Sequence, residues 1–339
     1  MRKKIVICGN YGANNLGDDL ILHAFIQRFS SFSITVISAD SVETARRYGI
    51  RAVPMLPCGV RSFFRVFFCK KERANFLLTK EAIREADLFI LGGGTLLTDD
   101  PWQAMWLWGC HTQFALRYSP KVQILANGIG PFKHRWARRW AASILHRVDL
   151  VSVRDRQSWE EVKSLGRSDL ELGQDPVLEM AFLNNLKAYE KMKDYVVFVP
   201  RYCSKNTNKI KNEFVKFINF LTLEIGKKVI FISFENSKKE IDFLNKIFEQ
   251  CHGDIEIVKY EADEQKVLKI IANADLVVGM RLHSLILAKR FGIPFMGIAY
   301  LQKIKSFAAD LGRSEVICDL DEVNAEILLA VYKSALKAR

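Results

Sequence analysis

At 339 residues, 49% of them hydrophobic and 26% charged, the chain is too long for one ordinary core and too well mixed to be disordered, so two domains are expected. Lysine and arginine outnumber aspartate and glutamate by 50 to 38. That excess suits anionic substrates or an acidic membrane surface, and with no helix-turn-helix, zinc-finger or RNP signature beside it, nucleic acid is not the expected partner.

A strand-like run begins at Lys3, which leaves no room ahead of it for a signal peptide, and no apolar run is long enough to span a membrane. Seven cysteines without a C-x-x-C pair suit free thiols in a reducing compartment, and the expected location is the cytoplasm.

Short apolar strands are expected at 5–8, 34–37, 88–91, 122–126 and 150–153, with helical patterns between them such as Leu22, Phe25, Ile26 and Phe29 on one face. The first strand runs into Gly9-Asn10-Tyr11-Gly12-Ala13-Asn14-Asn15-Leu16-Gly17-Asp18-Asp19. Glycines there permit close backbone approach, and Asn15 and Asp18 offer hydrogen bonds beside a helix N-terminus. Taken alone, the loop reads equally as a turn in which Asp18 or Asp19 caps the helix; it is neither G-x-G-x-x-G nor a P-loop.

Gly92-Gly93-Gly94 ends the third strand and can open a nest of N–H groups, and Asn127-Gly128-Ile129-Gly130-Pro131 ends the fourth. Ser152-Val153-Arg154-Asp155 places an arginine at a strand's carboxyl end, and Pro176 favours extended geometry at Asp175.

After a weakly periodic linker at 182–194, a second series of strands is expected at 196–199, 229–232, 255–258, 276–278 and 295–298. Ala86-Asp87-Leu88 leading to the triple glycine is echoed by Ala274-Asp275-Leu276 leading to Gly279. The fold class is therefore α/β, with two Rossmann-like domains, 1–181 and 195–318, facing a cleft. A last helix within 319–339 is expected to pack back on the first domain.

Gly279-Met280-Arg281-Leu282-His283-Ser284 is the most informative run. A buried strand passes straight into a helix, so a fixed cation and a titratable imidazole stand two residues apart at an anion-favouring helix start. That pairing suits a reaction that binds an acid and moves a proton.

In this order, the glycine loop, the triple glycine, Gly128-Ile129-Gly130-Pro131, Ser152-Val153-Arg154-Asp155, Asp175-Pro176, the Arg281-Leu282-His283 run, and Tyr300 with Lys303 resemble the polysaccharide pyruvyl transferase family. Asp19, Asn127 and the Thr98-Asp99-Asp100-Pro101 stretch depart from the family pattern, all in the first domain. The resemblance implies a GT-B-like fold, phosphoenolpyruvate as donor, a saccharide acceptor that is often lipid-linked, and no cofactor.

Phosphoenolpyruvate carries a phosphate and a carboxylate, so its site needs strong cationic forks. Arg154 and Arg281 are expected to supply them, with Leu282, His283 and Lys303 beside the donor. His283 is the expected acid for the donor's methylene carbon, and Arg154 and Arg281 count with it as catalytic. Asn15, Asp18, Gly93, Gly94, Asn127, Asp175 and Tyr300 are expected to line the acceptor side of the cleft, where Asp18 or Asp175 accepts hydroxyl protons.

No metal-binding spacing appears. The alternative of the same fold class is a glycosyltransferase using a nucleotide sugar. Two segments interleave aromatics and cations: Arg61, Phe63, Phe64, Arg65, Phe67, Phe68, Lys70 and Lys71, then Lys133, Arg135, Trp136, Arg138, Arg139 and Trp140. One of these faces is expected to lie on an anionic membrane.

Overall fold

Runs such as Ile5 to Cys8 and Val196 to Val199 are apolar at every position, and each of these residues is at most 2% exposed. Such runs form strands covered on both faces, the mark of parallel sheets in α/β proteins. The computed structural model describes residues 2–59, 65–188, 194–204 and 207–337. It divides into two compact units, Met1–Ala13 with Asp18–Glu179 and Asn14–Gly17 with Met180–Arg339.

The first unit holds strands β1 (Lys4–Cys8), β2 (Ser33–Ser38), β3 (Arg51–Pro54), β4 (Leu88–Gly92), β5 (Thr95–Leu97), β6 (Val122–Ile129), β7 (Leu150–Val153) and β8 (Glu171–Leu172). They lie in the order β3-β2-β1-β4-β6-β7-β8, with β5 on β6, and every pairing is parallel. The helices are α1 (Leu16–Arg28), α2 (Ser41–Tyr48), α3 (Lys70–Arg84), α4 (Trp102–Tyr118), α5 (Arg135–Leu145) and α6 (Arg156–Ser164).

The second unit holds β9 (Tyr195–Val199), β10 (Lys228–Ser233), β11 (Ile255–Lys259), β12 (Leu276–Gly279), β13 (Phe295–Ala299) and β14 (Ile317–Asp319), in the order β11-β10-β9-β12-β13-β14. Its helices are α7 (Thr207–Asn219), α8 (Lys238–Phe248), α9 (Glu264–Ala272), α10 (Leu282–Phe291), α11 (Gln302–Asp310) and α12 (Ala325–Lys337). The strand order reverses between β1 and β4 in one unit and between β9 and β12 in the other. These reversals are where doubly wound sheets bind ligands. The echo between the halves has its physical basis here, because β4 and β12 occupy the same place in their sheets.

Three features differ from expectation. The final helix packs inside the second unit, on α7, β13 and β14, where Tyr332 meets Phe217 edge-on at 6.1 Å. Residues Asn14–Gly17, from the first glycine loop, belong to the second unit. The fourth strand continues through Asn127 to Ile129 because a bulge at Ala126, φ 52°, lets the chain stay paired. Part of the expected linker, 189–193, and the aromatic-cationic residues Arg61, Phe63 and Phe64 lie outside the described residues. Among the described residues no helix is long and apolar enough to cross a membrane.

Candidate active site

The second unit gathers its chemistry where β9, β10, β12 and β13 end. Arg281 is the N-cap residue of α10, directly after β12. Its side chain is 8% exposed. Nη2 donates to Glu235 Oε2 at 2.8 Å and to Glu240 Oε1 of α8. Burial works against the guanidinium's charge, but Glu240 and Glu235 outweigh it and raise the pKa of Arg281 above its ordinary value. Burial likewise works against the Glu235 carboxylate, yet Arg281 holds its pKa below the usual range. Arg281 and Glu240 form a buried ion pair with Glu235, 31% exposed, at its edge, and Arg281 Nε is left without a partner among the described residues.

Arg201, two residues past β9, stands beside this network and was not singled out from the sequence. Its guanidinium lies 4.8 Å from the Tyr300 ring centroid, and Nη1 donates to the Tyr300 hydroxyl at 2.9 Å. No described carboxylate lies within ion-pair distance of it, so its charge is not spent on a salt bridge. Burial raises the Tyr300 pKa despite the opposing pull of Arg201 and Arg281, so the phenol stays neutral. The signal for Arg201 was present: an arginine closing an apolar strand, as Arg154 closes β7.

His283 is the second residue of α10 and is half-buried, with Leu282 buried before it. Its imidazole rests on Gly17, where a Cβ would come within 2.2 Å of Nδ1. Two contacts hold the Gly17 segment in the second unit, and a third braces it internally. Leu16 N donates to Phe234 O at 2.9 Å, Asn15 Oδ1 accepts from Gly17 N at 3.0 Å, and Asn15 forms an antiparallel bridge with Glu235. Asn15, expected on the acceptor side, thus positions the chain beneath His283. Lys303 stands half-buried in the first turn of α11.

In the first unit, Asn10 Nδ2 donates to Asp18 Oδ2 at 2.8 Å. Gly93 and Gly94 have φ of 69° and 73°, which glycine adopts without strain. The open side of Gly94 faces Asp18, whose Oδ1 would be 3.6 Å from an added Cβ. Asn127 is fully buried, its Nδ2 donating to Leu91 O at 3.0 Å while Oδ1 has no partner among the described residues.

Arg154 and Asp175 come together in this unit. Arg154 Nη1 donates to Asp175 Oδ2 at 2.8 Å and Nη2 to Thr95 Oγ1 at 3.0 Å, with both side chains at most 5% exposed. Asp175 Oδ1 also accepts from Val177 N at 3.1 Å. Arg154 belongs to the first unit, and Arg281 and His283 belong to the second. Among the described residues no cluster of His, Cys, Asp and Glu could hold a metal ion.

A family model described as polysaccharide pyruvyl transferase matches residues 15–302. The chain belongs to the polysaccharide pyruvyl transferase family. The match takes in every candidate residue of this pyruvyl transferase family member except Lys303, one position beyond it.

Solved structures share the GT-B architecture of this family member at low identity. The UDP-GlcNAc 2-epimerase of Methanocaldococcus jannaschii is 12% identical with a TM-score of 0.63, over 98% of this chain and 92% of that one. The epimerase of Rickettsia bellii is 12% identical with a TM-score of 0.64, over 99% and 88%. The Escherichia coli heptosyltransferase WaaC, solved with ADP-2-deoxy-2-fluoro heptose, is 13% identical with a TM-score of 0.55, over 98% and 99%. No curated protein matches the chain.

Proposed function

We propose that the protein transfers the three-carbon group of phosphoenolpyruvate to a saccharide, forming a cyclic pyruvate ketal and releasing phosphate. The observation that carries this reading is the juxtaposition at the end of β12. His283 stands at the N-terminus of α10, and Arg201, which makes no ion pair with a described carboxylate, bonds Tyr300 at the end of the neighbouring strand β13, in a family of pyruvyl transferases.

In this scheme Arg201 and Lys303 offer cations to the donor's oxyanions, and Arg281 fixes the geometry of the helix start. His283 protonates the methylene carbon, so that C2 becomes electrophilic and a sugar hydroxyl adds to it. The C2–O bond to phosphate then breaks, and a second hydroxyl of the same sugar closes the ketal. Of the two hydroxyl protons released, one replaces the proton taken from His283 and the other leaves with phosphate. Asp18 is the proposed acceptor of a hydroxyl proton.

The acceptor is proposed to be lipid-linked, with the first unit lying on an anionic membrane. Phe67 and Phe68 are 66% and 87% exposed, Trp102 and Trp136 are 54% and 41% exposed, and α5 carries Arg135, Arg138 and Arg139 with no acidic residue. Flotation with anionic liposomes tests this, and an absence of salt-sensitive binding would remove it.

The reaction is tested by incubating the protein with phosphoenolpyruvate and lipid-linked or aryl glycosides. A product heavier by one pyruvyl group, with equimolar phosphate, is expected. The rival is a glycosyltransferase using a nucleotide sugar, favoured by the fold shared with WaaC. Saturable binding of a nucleotide sugar, with none of phosphoenolpyruvate, would decide for it.

A further inference from the structure

One face of α4 is only partly buried, Phe114 on it packing at the margin of the core. Trp106, Cys110, Gln113, Phe114, Arg117 and Tyr118 recur at the three- and four-residue spacing of a single helical face. That face lines a cavity of 640 Å³, within the ~300–1,000 Å³ of small-molecule sites. Phe76 of α3 and Trp140 of α5 complete its aromatic wall. The rings support one another: Trp106 and Trp140 are 5.6 Å apart, Phe76 and Phe114 6.0 Å, and Phe114 and Tyr118 4.6 Å. Trp106 is nonetheless 41% exposed and Tyr118 38% exposed.

The polar groups are few and of one sign. Arg117 is the charged residue on the described lining, and Lys80 lies 5.5 Å from the Tyr118 ring centroid at the same end. Among the described residues neither cation pairs with a carboxylate. A sugar or nucleotide would leave many of its hydroxyls unpaired here, because besides Arg117 the side chains of the lining offer only Gln113, the Tyr118 hydroxyl, the Trp140 N–H and the weakly bonding thiols of Cys58 and Cys110, the Trp106 N–H being bonded to Cys58 O. A hydrocarbon chain meets no such cost, and an anionic head group matches Arg117 and Lys80.

We propose that this cavity binds the hydrocarbon chain of an anionic single-chain amphiphile, with Arg117 and Lys80 at its head group. The site is built from the first unit alone and stands independently of pyruvyl transfer.

Cys110 provides the test in the unaltered protein. Its half-buried thiol lies on the cavity lining, where a bound hydrocarbon chain would shield it. Iodoacetamide labelling of Cys110, followed by peptide mass spectrometry, should slow roughly tenfold when dodecyl phosphate is present below its micelle concentration at ten times its Kd. Cys203, in the second unit, serves as the control and should label at an unchanged rate. Dodecyl maltoside and inorganic phosphate should protect weakly or not at all, and Lys80→Ala with Arg117→Ala should reduce dodecyl phosphate to the level of the maltoside. Absence of saturable protection overturns the proposal, and so does equal protection by the maltoside or by phosphate alone. If the double variant fails to fold, the head-group comparison on the unaltered protein decides.

Discussion

Gly17 and His283 are in contact: a methyl group added at Gly17 would stand 2.2 Å from the imidazole Nδ1. The glycine that reads as a flexible turn residue is thus a platform for the proposed acid. Its backbone is not in the left-handed region, so alanine is acceptable there except for the imidazole it would displace.

Gly17→Ala should therefore fold normally and mimic a loss of His283. Removing a general acid typically costs 10²–10⁴-fold in rate, so Gly17→Ala and His283→Gln should both lose most phosphate release while still binding phosphoenolpyruvate. Wild-type turnover in Gly17→Ala would show that the proton does not come from His283 in this position.

Arg201 and Arg281 should separate when each is changed to lysine. Arg281 bonds Glu235 and, in a buried pair, Glu240, and breaking such a buried pair costs about 3–5 kcal/mol. Arg281→Lys and Glu240→Gln should therefore lower the melting temperature markedly. Arg201→Lys keeps the charge and loses the fork, so donor affinity should fall about 10- to 100-fold, the worth of a charged hydrogen bond of about 1.5–3 kcal/mol, with little change in melting. Donor titrations and thermal melts on the same preparations would show it; unchanged affinity in Arg201→Lys removes Arg201 from the site.

The legible part of this site lies at strand ends. Arg154, Arg281 and His283 could be picked out because each follows an apolar run that could only be a buried strand. The partners were not legible. Glu235 and Glu240 meet Arg281 only because β10 and β12 flank β9 in the sheet, a relation between segments some 40 residues apart that no local pattern encodes. The same is true of Arg154 with Asp175, and of Asn14–Gly17 joining the second unit. Edge strands as short as Glu171–Leu172 carry too few residues for periodicity to register.

Arg154 and Asp175 should behave as one unit. With both side chains nearly inaccessible, Asp175→Leu leaves the buried guanidinium only the more distant Asp155, 3.9 Å from Nε, and Arg154→Met leaves the Asp175 carboxylate without its cation. Each single change should destabilise by about 3–5 kcal/mol, whereas the double change Arg154→Met with Asp175→Leu should recover much of that loss. Additive losses in urea denaturation would mean that the two side chains act independently.

His111 gives a pH signature of the first unit's fold. It is fully buried in α4, where Nε2 accepts from Leu56 N at 2.9 Å and Nδ1 donates to Leu107 O at 2.8 Å, so the ring is neutral. Burial lowers its pKa to about 4, against the ordinary 6.5. Between those values the unfolded chain binds a proton that the folded chain refuses, so stability falls as pH drops through about 6.5 and this loss levels off below about 4. The full window corresponds to roughly 3 kcal/mol, of which roughly 2 kcal/mol should be lost between about pH 7.5 and about pH 5. His111→Gln lacks the titrating ring, so its urea-denaturation free energy should be lower than wild type at neutral pH but fall less over that interval. If the two proteins lose stability in parallel as the pH falls, His111 is not the group responsible.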